Sequence, residues 1–273
     1  MKSNQYKFTV VAALLAAVLA VVAVIIVKNS QSEAPVGTVL ITGSNRGIGL
    51  EFARQYAAKG WTVIATHRRD TVPESLKSLS EQYESVRAER MDVLRHDDID
   101  ALAARLRDTP IDVLINNAGI MGTGDPASAQ VFGTLNHDLF ERYMRTNALG
   151  PIKVAEAFFP HVAASDLKKI DNISSSSGMV SRPPRRSRSL WYRASKTALN
   201  GLMVSIVPAA RESGVSVTLF EPGWTWTGKN ESKRHPDQLE PAEVAAAMIE
   251  TIDGLTLKDT GRFLTREGRT QPW

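Results

Sequence analysis

Apolar and polar positions along this chain fall into two regimes. Phe8 to Val27, FTVVAALLAAVLAVVAVIIV, is a run of twenty residues without a charge or a strong helix breaker. As a helix rising about 1.5 Å per residue it would reach about 30 Å, the hydrocarbon thickness of a bilayer. Residues 1–7 form a short tail before it and 28–36 a polar linker after it. From residue 37 onward short apolar runs alternate with longer helical stretches. The strand candidates are Thr38 to Ile41, Thr62 to Thr66, Ile111 to Ile115, Ile170 to Ser174 and Ser216 to Phe220, with weaker ones at Val86 to Arg90 and Arg262 to Thr265. Helical spacing covers Ile48 to Ala58, Ile99 to Arg107, Leu139 to Val162, Trp191 to Arg211 and Pro241 to Ile252. This alternation predicts an α/β fold, a Rossmann-type doubly wound parallel sheet in a single domain over 37–273, preceded by one N-terminal transmembrane helix. Pro208 lacks a backbone donor and should kink or end the helix it sits in. Met121 to Gly133, rich in Gly and small polar residues, reads as loop.

Composition narrows the function classes. With 273 residues and 43% hydrophobic content, the chain can fill one sizeable core. The net charge of +4 is spread along it, which argues against a nucleic-acid partner; the one dense cluster is Arg182, Arg185, Arg186 and Arg188. There are no cysteines, which excludes disulfides, thiolate metal sites and a cysteine nucleophile. The five histidines lack metal-ligand spacing, so no metal is expected. The apolar run is longer than the roughly 7–15 residues of a signal peptide and reads as an uncleaved single-pass membrane anchor. Lys2 and Lys7 outweigh Lys28 and Glu33, which places the N-terminus in the cytosol and the globular part outside.

The residues that carry chemistry follow the strands. Val39 to Gly49, VLITGSNRGIG, is an apolar strand, a glycine-rich turn and the start of a helix. In the first turn of such a sheet, glycines let the backbone approach a pyrophosphate, whose charge a helix N-terminus favours. Gly43, Ser44, Asn45, Arg46, Gly47, Ile48 and Gly49 are therefore candidate dinucleotide contacts. The second strand ends in Thr66, His67, Arg68 and Arg69, where an NAD site would place an acid. Arg68, with Arg46 in the turn, suits the 2'-phosphate of NADP better than NAD. Tyr192 and Lys196, four apart on one helix face, can bring an ammonium close to a phenol. Lowering a phenol pKa by three units takes about 4 kcal/mol, which a lysine and an oxidised nicotinamide can supply together. Tyr192 would then protonate a carbonyl oxygen as hydride arrives, or deprotonate an alcohol in reverse.

Asn116-Asn117-Ala118-Gly119, Asn147, Ser175, Tyr192 and Lys196 occur in an order that resembles the short-chain dehydrogenase/reductase family. The resemblance covers Gly37 to Trp273. ITGSNRGIGLE, YRASKTALN, EPGW, DTGRF and the final QPW are similar to its C-factor and sniffer-like carbonyl reductase branch. The resemblance implies that Ser175 orients the substrate oxygen, with Ser174, Ser176 and Ser177 as alternatives. It implies that Asn147 holds a water linking Lys196 to solvent, against a second reading as a helix-interior amide satisfying backbone groups. Asn117, Ala118 and Gly119 would approach the adenosine ribose, Asp92 the adenine, Pro222 and Gly223 the nicotinamide, and Thr227 its carboxamide. TWTGKN departs from the family by lacking an acid after that threonine.

Three activities compete: an NADP-dependent oxidoreductase acting on a small-molecule carbonyl/alcohol pair, an NADP-binding signalling or sensor protein of C-factor type without turnover, and an epimerase or dehydratase of the same superfamily. A homo-oligomer stays open. A dinucleotide cofactor favours the cytosolic face for the catalytic domain and slightly outweighs the flanking charges. For the arginine cluster the readings are a solvated loop, a contact with anionic lipid headgroups, or a site for an acidic substrate.

Overall fold

A computed structural model describes residues 36–122, 130–184, 187–228 and 234–273. The expected membrane anchor, Phe8 to Val27, lies outside the described residues, as do Arg185 and Arg186. Among the described residues no helix is long and apolar enough to cross a membrane.

Seven strands form one sheet: β1 (Thr38–Ile41), β2 (Thr62–His67), β3 (Val86–Arg90), β4 (Val113–Asn116), β5 (Lys169–Ile173), β6 (Ser216–Glu221) and β7 (Phe263–Thr265). Their order is β3-β2-β1-β4-β5-β6-β7, and every pairing is parallel. The chain winds outward from β1 in one direction and from β4 in the other, so a crevice opens between the C-terminal ends of these two strands. The helices are α1 (Gly47–Ala58), α2 (Glu74–Gln82), α3 (His96–Arg105), α4 (Leu139–Met144), α5 (Gly150–Ala163), α6 (Leu190–Ser205), α7 (Val207–Glu212) and α8 (Pro241–Gly254).

Because helices cover both faces, β1 and β4 read as continuous apolar runs rather than alternating ones. Val39 and Ile41 face the layer of α1, α2 and α8, where Phe52, Tyr56, Leu76, Met248 and Ile252 are fully buried. Leu40 faces the layer of α3, α5 and α6, with Ile99, Leu102, Phe158 and Leu199. Burying each such side chain stabilises the fold by about 1.5–3 kcal/mol, so this two-sided core supplies the rigid frame for the crevice.

Two elements differ from the sequence expectation, and a third breaks where Pro208 predicts. α2 was not anticipated, because of its nine residues only Leu76 and Leu79 are buried and the apolar stripe is too thin to register. The helix expected over Leu139 to Val162 is interrupted by a π turn, Arg145–Leu149, before Pro151 opens α5. The helix expected over Trp191 to Arg211 breaks at Ile206, and Pro208 sits in the first turn of α7, where its missing N–H has no intrahelical partner to lose.

β5, KIDNI, is buried at every position although its first and third residues are charged. Lys169 Nζ donates to the carbonyls of Ile252 (2.6 Å) and Asp253 (3.2 Å), a cation held at the C-terminal end of α8. Asp171 accepts a hydrogen bond from the Thr218 hydroxyl. Burial pushes the Asp171 carboxyl up to about 7, against the opposing pull of that hydrogen bond and of Lys169.

Candidate active site

A cavity of about 970 Å³ occupies the crevice at the C-terminal ends of the strands. Its floor is stitched from two distant segments. Thr42 Oγ1 accepts the N–H groups of Asn117 and Ala118, both at 2.9 Å. Asn117 Nδ2 in turn donates to the carbonyls of Thr42 (2.8 Å) and Gly43 (3.2 Å). Gly43 has φ +69°, a left-handed conformation that glycine adopts without strain. A Cβ on Gly49 would stand 2.4 Å from Asn117 Nδ2 and 2.5 Å from the Gly43 carbonyl, so only a bare backbone lets the helix start seat this closely.

The expected turn contacts divide. Gly43, Asn45, Arg46 and Ile48 line the cavity. Ser44 does not: it is buried, its hydroxyl donates to the Ile41 carbonyl (2.8 Å), and its N–H donates to the Thr66 carbonyl (2.9 Å). Gly47 lies on a smaller neighbouring cavity of about 280 Å³, and Gly49 sits beneath Asn117. The Arg46 guanidinium donates to the Thr227 carbonyl, tying the turn to the segment after β6. Thr227, Pro222 and Gly223 all line the cavity.

At the β2 end, Arg68, Arg69 and Asp92 are wall residues. Asp92 Oδ1 accepts the N–H of Leu94 at 3.0 Å. Among the described residues neither arginine side chain has a hydrogen bond or ion pair, so both guanidinium forks remain available for an anion.

At the β5 end stand Ser175, Tyr192 and Lys196. The serine run is sorted by its partners. Ser174 Oγ donates to Asn200 Oδ1 at 2.5 Å inside the fold, whereas Ser175 lines the cavity with Tyr192, lowers the pKa of its phenol, and accepts the Ser177 N–H (3.1 Å). Lys196 Nζ donates to the Ile173 carbonyl at 2.7 Å, and burial lowers its pKa to about 8. The Tyr192 phenol departs from the expectation of a lowered pKa. Within the protein alone, burial pushes it up, the Ser175 hydrogen bond opposes that, and the negative charge of Glu221 and Tyr143 adds to the rise. Protein groups by themselves hold Tyr192 protonated.

Asn147 lies in the π turn, fully buried and off the cavity wall. Its Oδ1 accepts the Ile120 N–H (2.8 Å), and its Nδ2 donates to the Ile120 carbonyl (2.8 Å) and to Ser195 Oγ (3.0 Å). Its side-chain amide is thus fully engaged by Ile120 and Ser195. It remains next to the site: a Cβ on Gly119 would lie 3.2 Å from Asn147 Oδ1 and 3.7 Å from Lys196 Nζ. π turns are frequent at functional positions, and this one aims an amide at the strand end beside Lys196.

Sequence reasoning missed several residues. Gln130 Oε1 accepts the Tyr192 N–H at 3.2 Å, fixing the first turn of α6. Ser195 supports Asn147. Glu221 completes the wall beside Ser175 and Tyr192, together with Arg188 of the arginine cluster and Trp224 of EPGW, both of which the sequence had already marked. Glu221 stands within EPGW too, so position in that motif was the available signal.

The residues present fit a dinucleotide. The volume is at the upper end of the roughly 300–1,000 Å³ usual for cofactor sites, the glycine turn clears backbone at the floor, and the unpartnered Arg68 and Arg69 suit an extra phosphate.

Comparison with known proteins agrees with this geometry. A model of the short chain dehydrogenase family matches residues 37–238. The chain is 29% identical over 242 residues to 1-hydroxy-2-glutathionyl-2-methyl-3-butene dehydrogenase of Rhodococcus sp. (strain AD45), covering 86% of this chain and 99% of that one. It is 32% identical over 174 residues to the C-signal of Myxococcus xanthus, covering 63% of this chain and 99% of that protein. The NADPH-bound carbonyl reductase from chicken fatty liver superposes with a TM-score of 0.78 at 29% identity, covering 88% of this chain and all of that one.

Proposed function

This chain belongs to the short chain dehydrogenase family and is a nicotinamide-dependent oxidoreductase, and from that premise we propose that it reduces a small-molecule carbonyl with NADPH, or runs the reverse oxidation, using Tyr192 as general acid. The observation that carries the reading is that Ser175, Tyr192 and Lys196 line the same cavity as the glycine-rich turn, with Ser175 near enough to the Tyr192 phenol to pull its pKa down. The similar carbonyl reductase from chicken fatty liver, whose structure has NADPH bound, supports NADP. Arg68, Arg69 and Arg46 would hold the adenosine-side phosphates, while Thr227, Pro222 and Gly223 would face the nicotinamide.

When bound, NADPH would supply a hydride to the carbonyl carbon. Ser175 holds the carbonyl oxygen against the Tyr192 hydroxyl. The phenol, kept protonated by burial, gives its proton to that oxygen, so the product is the alcohol. Lys196, largely protonated at neutral pH, stabilises the resulting phenolate and passes a proton back from solvent. Asn147, hydrogen-bonded to both backbone groups of Ile120, would serve the water-linked proton return to Lys196 that the family resemblance implies.

The apolar run Phe8 to Val27 supports a single-pass anchor, with the catalytic domain on the cytosolic face where NADPH is plentiful. Protection of the catalytic domain from added protease in intact membranes, lost on permeabilisation, is the expected result.

The purified chain is expected to oxidise NADPH with members of a panel of aldehydes, ketones and quinones. Tyr192→Phe should retain NADPH binding and lose at least about a hundredfold in turnover. Full activity in that variant would overturn the assignment of Tyr192. NADPH binding without turnover on the whole panel would replace catalysis with the sensor reading.

A further inference from the structure

The cavity has two ends with separate positive charge. Arg46, Arg68 and Arg69 belong to the β1 turn and the end of β2, whereas Arg188 belongs to the loop between Ser175 and Tyr192. In the sheet, β2 and β5 are separated by β1 and β4, three strand spacings or about 14 Å. Arg188 therefore stands on the wall beside the reacting groups, away from the arginines suited to the dinucleotide phosphates.

That wall is short of partners. Among the described residues, Arg188, Ser176 and Ser177 line the cavity, and their side chains make no hydrogen bond or ion pair. Lys196, the other cation at this end, is tied to the Ile173 carbonyl. The loop bearing Arg188 is held on both sides. Ser181 N–H donates to the Trp273 carbonyl at 2.9 Å, and Ser189 adopts φ +57°, a left-handed conformation uncommon for serine, as it enters α6. Met121 and Trp224 supply apolar surface at the same end.

We propose that the substrate is a carbonyl or alcohol compound bearing an anionic group, a carboxylate for preference, and that Arg188 with Ser176 and Ser177 receives that group. A guanidinium fork and two hydroxyls lining one cavity offer the donors that a planar carboxylate with its two oxygens accepts. Glu221 faces the same end and bears on Tyr192, so it disfavours an anion adjacent to the reacting carbon. The carboxylate consequently sits apart from the carbonyl, which favours oxo acids with separated groups over 2-oxo acids. This inference rests on the reductase reading above and names the substrate class for that site.

The test uses the full chain with NADPH and three probes: 4-carboxybenzaldehyde, its methyl ester, and phenylglyoxylate, whose carboxylate adjoins the carbonyl. The native protein should prefer 4-carboxybenzaldehyde over the ester by about tenfold in kcat/KM, through KM, and should prefer it over phenylglyoxylate as well. Arg188→Ser should remove the preference over the ester while leaving ester turnover and the KM for NADPH unchanged. Arg188→Lys should restore part of it. Equal kcat/KM for acid and ester in the native protein would overturn the proposal. If neither aldehyde turns over, the reductase reading fails by itself, and calorimetric titration still decides the anion site. Tighter binding of the acid than of the ester, abolished in Arg188→Ser, supports it, and equal binding overturns it.

Discussion

Two buried polar groupings share strand β5 and the segments packed against it, yet only one has the makings of a catalytic site. At the C-terminal end of the sheet, Ser175, Tyr192 and Lys196 meet on an open cavity. Lower on the same strand, Lys169, Asp171 and Thr218 form a closed cluster against α1 and α8. Both contain ionisable groups displaced by burial, Lys196 to about 8 and Asp171 to about 7. A shifted pKa thus marks burial; access to a cavity and a hydrogen-bonded neighbour able to take part in proton transfer mark chemistry.

Substitutions can test that contrast, and the largest expected effect is at Lys196. Lys196→Met should lower kcat/KM by about 10²–10⁴-fold. The same change should stabilise the protein at pH 7. The folded-state pKa of about 8 lies below the ordinary lysine value of 10.5, so the charged amine carries a cost that is fully present below pH 8 and fades as pH rises toward 10.5. That cost is about 3 kcal/mol, and losing the hydrogen bond to Ile173 returns about 1 kcal/mol of it, leaving a gain of about 2 kcal/mol in urea unfolding at pH 7. A variant that is both less active and no more stable would break the comparison on the active-site side.

Asp171→Asn comes next and should move stability alone. The Asp171 carboxyl has a folded pKa of about 7, above its ordinary 3.8, so its favourable protonated form is fully present below pH 3.8 and its contribution is lost as pH rises to 7. At pH 8 the asparagine variant should be more stable by as much as about 4 kcal/mol, with little difference at pH 4 and unchanged kcat/KM for the best substrate. Thermal unfolding across that range checks it. The smallest effect is expected for Lys169→Met, about 1–2 kcal/mol of destabilisation from loss of the cation at the end of α8, again with activity intact.

The frame was legible because parallel strands covered on both faces carry uninterrupted apolar runs, as in VLI of β1 and VLIN of β4. β5 was placed one residue late, at Ile170, because its charged first residue looks like loop until the α8 carbonyls that receive it are known. Gly43, Tyr192 and Lys196 were legible from local spacing. Ser175 was chosen only through the family resemblance, and the bond that turns Ser174 inward goes to Asn200, a partner 26 positions away that no local pattern shows. Asn147 could not be assigned locally either, because a π turn is invisible to a 3.6-residue period. Arg188 and Glu221 reach the cavity only through loop paths and strand order that no local pattern encodes.

The seam joining Thr42, Gly49 and Asn117 bears on how this fold can be re-engineered. The two segments are separated by 75 positions between Thr42 and Asn117, yet they are matched atom to atom by the Thr42 and Asn117 hydrogen bonds and by the space that Gly49 leaves beneath Asn117. Grafting a foreign nucleotide turn to change cofactor preference would therefore bring a helix start that no longer fits beneath the native asparagine. The transplantable unit is the pair of segments together, and libraries that vary one while holding the other fixed should be dominated by misfolded members.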